Sequence, residues 1–169
     1  MSHDLPPHAP TPPEADGSGQ ATPSPAAMRR AIELAVASVE SGGGPFGAVI
    51  VEGLGGSVVG EGSNRVVPHL DPTAHAEVVA IRHACRSLGR FDLRGHWIYS
   101  SCEPCPMCLS AAYWARVDGV VFGCTQSDAA AIGFDDAFLY RELAAPAEAR
   151  TLPVTKYLRE EALRAFQAW

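Results

Sequence analysis

The chain has 169 residues, 47% hydrophobic and 19% charged, the composition of one globular domain able to bury a single sizeable core. A formal net charge of -6 argues against non-specific nucleic-acid binding, which needs clustered Lys and Arg to neutralise phosphates. Five cysteines, an odd number with two at metal-ligand spacing, argue against a disulfide framework and for a reduced, cytoplasmic setting.

Residues 1–25 carry seven prolines among Gly, Ser, Ala and Thr, and are expected to be a disordered tail. The first five residues lack the basic region of a secretory signal, and no run approaches the roughly 20 apolar residues of a membrane span. Residues 26–169 form the expected domain. Its first helix runs from Ala26 to Ser41, with Met28, Ile32, Ala35, Val36 and Val39 at helical spacing and Gly42-Gly43-Gly44 as its stop. Two strands, Phe46 to Val51 and Ser57 to Glu61, make a hairpin around Glu52-Gly53-Leu54-Gly55-Gly56. Asp71-Pro72-Thr73 is expected to cap a helix ending at Leu88-Gly89. A strand over His96 to Ser100, a helix from Pro106 to Arg116 and a strand over Val117 to Cys124 form a crossover unit, so these two strands should be parallel. A helix over Ala137 to Leu143, an edge strand from Arg150 to Thr155 and a last helix from Arg159 to Trp169 complete the chain. Cys85 and Cys124, in apolar runs, are expected to be small core residues, and His83 a surface or satisfied histidine. The order of elements implies an α/β layer structure around a mostly parallel sheet with an antiparallel hairpin at one edge.

Two short stretches carry chemistry. His75-Ala76-Glu77 and Pro104-Cys105-Pro106-Met107-Cys108 together read H-x-E, a gap, then P-C-x-x-C. Hydrolytic zinc takes three protein ligands and keeps a fourth position for water. His75, Cys105 and Cys108 supply three, which leaves Glu77 for proton transfer. C-x-x-C alone would equally suit a redox pair or half of a structural zinc site, with Cys102 as a fourth ligand. A redox pair does not require H-x-E on a separate helix. His75 and Glu77, two apart, converge only in the first turn of a helix. Cys105 and Cys108, at i and i+3 across the start of the next, put both sulfurs on one side. Glu103 is expected to accept a hydrogen bond from the backbone or from a group behind the ligands rather than to compete for proton transfer.

The H-x-E and P-C-x-x-C pair is the signature of zinc nucleobase deaminases. Over residues 28–169 the chain resembles the bacterial guanine deaminases of the cytidine deaminase-like superfamily. The resemblance is carried by the stretches Gly43 to Val51, Asp71 to Val78, Ser101 to Leu109, Tyr113 to Arg116, Gly133-Phe134-Asp135-Asp136, Pro146-Ala147-Glu148 and Phe166-Gln167-Ala168-Trp169. It implies a three-layer α-β-α fold, a mixed sheet of about five strands with helices on both faces, and zinc-dependent conversion of guanine to xanthine and ammonia. It further implies that Asn64 hydrogen-bonds the purine, Phe46 packs on the ring, Trp114 lines the pocket and Asp136 accepts N–H groups particular to guanine. From the residues alone, Asn64 equally suits a turn, Phe46 and Trp114 a core, and Asp136 a helix cap. By the same resemblance the chain is a homodimer whose C-terminal segments are exchanged and close the partner's site. Either Trp169 and its carboxylate do the closing, or the lid is weaker and a related aminopurine or aminotriazine is accepted. Deaminases of guanosine, cytosine or tRNA adenosine are the rivals within the chemistry, and a non-catalytic zinc module is the rival outside it.

Overall fold

Helix α1 (Pro25–Glu40) starts where Ser24 accepts the Ala27 N–H and proline takes the first helical position, which needs no donor. It therefore begins inside the segment expected to be tail. The computed structural model describes residues 22–169, so most of that tail lies outside the described residues. The chain divides into two units, Met1–Asp135 and Asp136–Trp169.

In the first unit β1 (Gly47–Glu52), β2 (Val58–Ser63), α2 (Val66–His69), α3 (Ala76–Leu88), β3 (His96–Cys102), α4 (Pro106–Ala115), β4 (Gly119–Cys124) and α5 (Gln126–Ala131) follow α1. The sheet has the order β2-β1-β3-β4. β1 pairs antiparallel with β2 and with β3, and only β3 and β4 run parallel. The expected hairpin and crossover pair are both present, but the sheet is mixed and not mostly parallel.

Alternation along the strands sorts the core into two layers. Ala48, Ile50 and Ile98 face Ala76, Ala80 and Ala84 of α3 and Ala112 and Ala115 of α4. Val49, Val51 and Tyr99 face Ala27 of α1 on the other side. The Tyr99 hydroxyl accepts from the Ser24 N–H at 2.7 Å and donates to the Leu54 carbonyl, so it ties the start of α1 to the hairpin.

Small residues set the depth of both helical layers. The buried face of α1 is Ala27, Ala31, Ala35 and Ser38. The larger Ile32, Val36 and Val39, expected to form the inward stripe, are exposed instead. A Cβ on Gly47 would stand 2.2 Å from the Ala31 carbonyl oxygen, and one on Gly62 the same distance from that of Ala76. The helices thus lie directly on the strand backbone, and bulky side chains are turned aside.

In the second unit, α6 (Ala137–Ala144) and α7 (Arg159–Gln167) flank a single 3-10 turn over Ala147–Ala149. No residue of this unit is buried. The fifth strand, expected over Arg150 to Thr155, is not formed. Pro153 has no N–H to give a ladder, and the Thr151 N–H and hydroxyl both donate to the Glu142 carboxylate. Cys85 packs partly against the core as expected, whereas Cys124, at the end of β4, is exposed.

Gly62→Ala should destabilise the protein by about 1–3 kcal/mol in chemical denaturation, because backbone on both sides must part. Gly55→Ala, whose added Cβ meets open space, is the matched control and should change the midpoint little.

Candidate metal centre and active site

The chain reaches the site from two helix starts. His75 is the N-cap residue of α3 and Cys105 that of α4, both with extended backbone and neither using its side chain as a cap. The expected cap at Asp71–Thr73 is a separate turn, in which Asp71 accepts the N–H and hydroxyl of Thr73. Neither side chain is spent on capping, both turn into one cluster, and Cys108 joins them from the first turn of α4.

His75 Nδ1 lies 3.5 Å from Cys105 Sγ and 3.5 Å from Cys108 Sγ, and the three ligand atoms all fall within 4.8 Å of one another. A tetrahedral ion about 2.3 Å from sulfur and about 2.0 Å from nitrogen would space N and S about 3.5 Å apart, so these residues fit a zinc ion. Cys105 is drawn down to about 4 by the hydrogen bond from Cys108 and, more weakly, by His75, while burial opposes the shift. Cys108 is pushed up, because it holds the shared proton in a buried position. A metal would replace that proton and take both sulfurs as thiolates.

Cys102 is not part of this cluster. Its thiol, pushed up to about 11 chiefly by burial, reaches the Thr125 carbonyl at 3.6 Å. Among the described residues the cluster accordingly has three ligands. Glu103 accepts the Gln126 N–H at 3.0 Å, the backbone role expected of it. His83 is exposed and accepts the Glu61 N–H at 3.1 Å, a satisfied surface histidine.

Glu77, in the first turn of α3, is only 6% exposed. Burial raises its carboxyl above the ordinary value, against the lowering effects of its own backbone N–H and of Cys108. A carboxyl so placed is held closer to its protonated form than an exposed one, which suits a group that exchanges protons. The Ser100 hydroxyl donates to its Oε1 at 3.2 Å, a contact that the strand pattern around Ser100 did not single out.

Asn64 is buried and clamped. Its backbone N–H donates to the Phe46 carbonyl at 2.9 Å, its own carbonyl accepts from the Ser38 hydroxyl at 3.0 Å, and its Oδ1 accepts from Gly44 and Val66 N–H at 3.3 Å each. The Nδ2 end has no hydrogen bond among the described residues, so this side chain can present a donor. Phe46 is half-buried and meets Phe134 edge-on, with centroids 5.0 Å apart at 89°. It also lines an apolar groove of about 720 Å³ between α1 and α5, to which the metal cluster does not contribute. Trp114 is 78% exposed on α4 and is not enclosed by the described residues. Asp136 begins the second unit at the N-cap position of α6, but its side chain makes no capping bond there.

Comparison with known proteins places these features in context. The zinc-binding region of cytidine and deoxycytidylate deaminases matches residues 22–124. Guanine deaminase of Bacillus subtilis is 52% identical over 143 residues, covering 84% of this chain and 90% of that protein. A crystal structure of guanine deaminase from Bacillus subtilis superposes with a TM-score of 0.80 at 51% identity, over 85% of this chain and 91% of that one. The tRNA-specific adenosine deaminase of Haemophilus influenzae is 38% identical over 64% of this chain and 65% of its own length. The matched region contains both halves of the metal cluster and Glu77, and the chain belongs to the cytidine and deoxycytidylate deaminase zinc-binding family.

Proposed function

We propose that this protein is a zinc-dependent aminohydrolase that converts guanine to xanthine and ammonia. The observation that carries the proposal is a three-ligand cluster with the buried carboxyl of Glu77 beside it and Cys102 engaged elsewhere. Three ligands rather than four are what a hydrolytic zinc site needs. The 52% identity to the Bacillus subtilis guanine deaminase supports guanine as the base.

His75, Cys105 and Cys108 would hold the zinc, which would supply a Lewis acid that favours ionisation of water as a nucleophile. Two thiolates cancel the charge of the ion, so a neighbouring base has to assist. Glu77 takes a proton from the attacking water as it adds to the amidine carbon that bears the exocyclic amine. It passes that proton to the ring nitrogen, then takes the second proton from the added hydroxyl and delivers it to the departing nitrogen; the C–N bond breaks, the carbonyl forms and ammonia leaves.

Asn64 donates from Nδ2 to an acceptor on the purine, since its Oδ1 is already occupied by two backbone N–H groups. Phe46 packs on the ring, and Asp136 accepts N–H groups of guanine. Trp114 lines the pocket once a second copy covers its face of α4. The working form is a homodimer with exchanged C-terminal segments. Support for this comes from the second unit, which buries no residue and exposes Phe138, Leu143, Phe166 and Trp169. Among the described residues no helix is long and apolar enough to cross a membrane, and with free thiols this fits a cytoplasmic location.

A second reading, deamination of adenosine in tRNA, draws on the 38% identity to the Haemophilus influenzae enzyme. The acidic net charge and the Gly133-Phe134-Asp135-Asp136 stretch favour the free base.

Ammonia release should be measured from guanine, guanosine, adenine, cytosine and a small RNA hairpin. Turnover of guanine is expected, falling by at least about 10²-fold in Glu77→Gln with zinc content unchanged. Activity on the RNA alone would replace the free-base reading. Zinc content per chain provides a second check. Cys105→Ser should lose most of the metal, whereas Cys102→Ser should retain it, and loss from Cys102→Ser would indicate a closed four-ligand site.

A further inference from the structure

Glu77 is a carboxylate buried against a sheet, and its orientation decides which of its two oxygens can move a proton. β3 carries adjacent serines that face opposite ways. Ser101, on the α1 side, accepts the Gly47 N–H at 3.0 Å and serves the packing of β1. Ser100, on the side of α3 and α4, is 1% exposed between its strand partners Ala48 and Phe122. Neither neighbour offers its side chain a polar partner. The acceptor that its hydroxyl reaches is Glu77 Oε1, at 3.2 Å.

We propose that Ser100 is a positioning residue for the proton carrier: by donating to Oε1 it fixes the rotation of the Glu77 carboxyl and leaves Oε2 to take up and deliver the proton. This rests on the deaminase reading given above. The geometry supports it in two ways. A hydroxyl at this depth has to find an acceptor. A carboxyl at the start of α3 is held along its stem by the helix, and its terminal torsion, soft and broad in itself, is set by Ser100 together with its own backbone N–H and Cys108. Ser100 comes from the rigid central part of the sheet and supplies a fixed point for that torsion. An oxygen that accepts the Ser100 proton throughout is poorly placed to carry another, so the two carboxylate oxygens become inequivalent before substrate arrives.

The test uses the full-length, zinc-loaded chain. Ser100→Ala should lower kcat on guanine by about tenfold to hundredfold, the value of a hydrogen bond to a charged group, with KM and zinc content unchanged. Ser100→Thr keeps the hydroxyl and should recover most of that loss; Ser100→Val has nearly the shape of threonine and should not. The carboxylate infrared band isolated by subtracting Glu77→Gln should move in the Ala and Val variants and stay in place in Thr. Equal kcat in the Thr and Val variants, or an unmoved band in Ala, would overturn the proposal. Loss of zinc or of folding in both Ala and Val would assign Ser100 to structure alone and overturn it as well. A wild type that releases no ammonia from guanine would defeat the reading of function, and the infrared comparison would still decide the role of Ser100.

Discussion

The constraint on which the structure depends is the absence of a side-chain layer between α3 and β2. Gly60 and Gly62 face Ala76, Ala80 and Ala84, and an added Cβ at Gly62 would overlap the Ala76 carbonyl. Close packing of this kind has one solution, because neither backbone can shift without opening a void or meeting a clash. The start of α3 is thereby fixed against the sheet, and with it His75 and Glu77. α1 repeats the arrangement on the other face through Ala31 and Gly47.

α4 is placed by its own ends. The Ala115 carbonyl accepts from the N–H of Leu93, a fully buried residue, and Cys105 takes the N-cap position soon after β3 finishes. Two helix starts then meet over one end of the sheet, where free N–H groups favour negative charge. The same meeting desolvates Glu77. One geometric event thus supplies a cluster suited to thiolates and a carboxyl raised above its ordinary value by burial, and neither feature requires a residue from outside the sheet and its two helices.

The chemistry was legible in the sequence because metal ligation restricts both residue type and spacing. His75, Cys105 and Cys108 come together as H-x-E and P-C-x-x-C imply, and the helix starts that make them converge are marked by Pro106 and by the spacing of His75 and Glu77. The helix faces were harder to read. Hydrophobic periodicity picks out Met28, Ile32, Ala35, Val36 and Val39, yet of these Ile32, Val36 and Val39 are exposed and the sheet takes Ala27, Ala31 and Ala35, because depth of approach outweighs side-chain area where glycine lies beneath. The segment from Arg150 to Thr155 has strand-like composition, but its Thr151 donors are taken by Glu142. Composition cannot show such local competition.

By itself the sequence determined the His75, Cys105 and Cys108 cluster, the carboxyl of Glu77 beside it and the alternation of helix and strand, since each depends on residue identity and short-range spacing. Tertiary structure decided the rest. Four strands in a mixed order, the half-used carboxamide of Asn64, the edge-on contact of Phe46 with Phe134 and the hydroxyl of Ser100 on Glu77 all join residues far apart in the chain. Contacts of that kind are set by strand register and by the depth of helix packing, which act only once the layers have closed on one another.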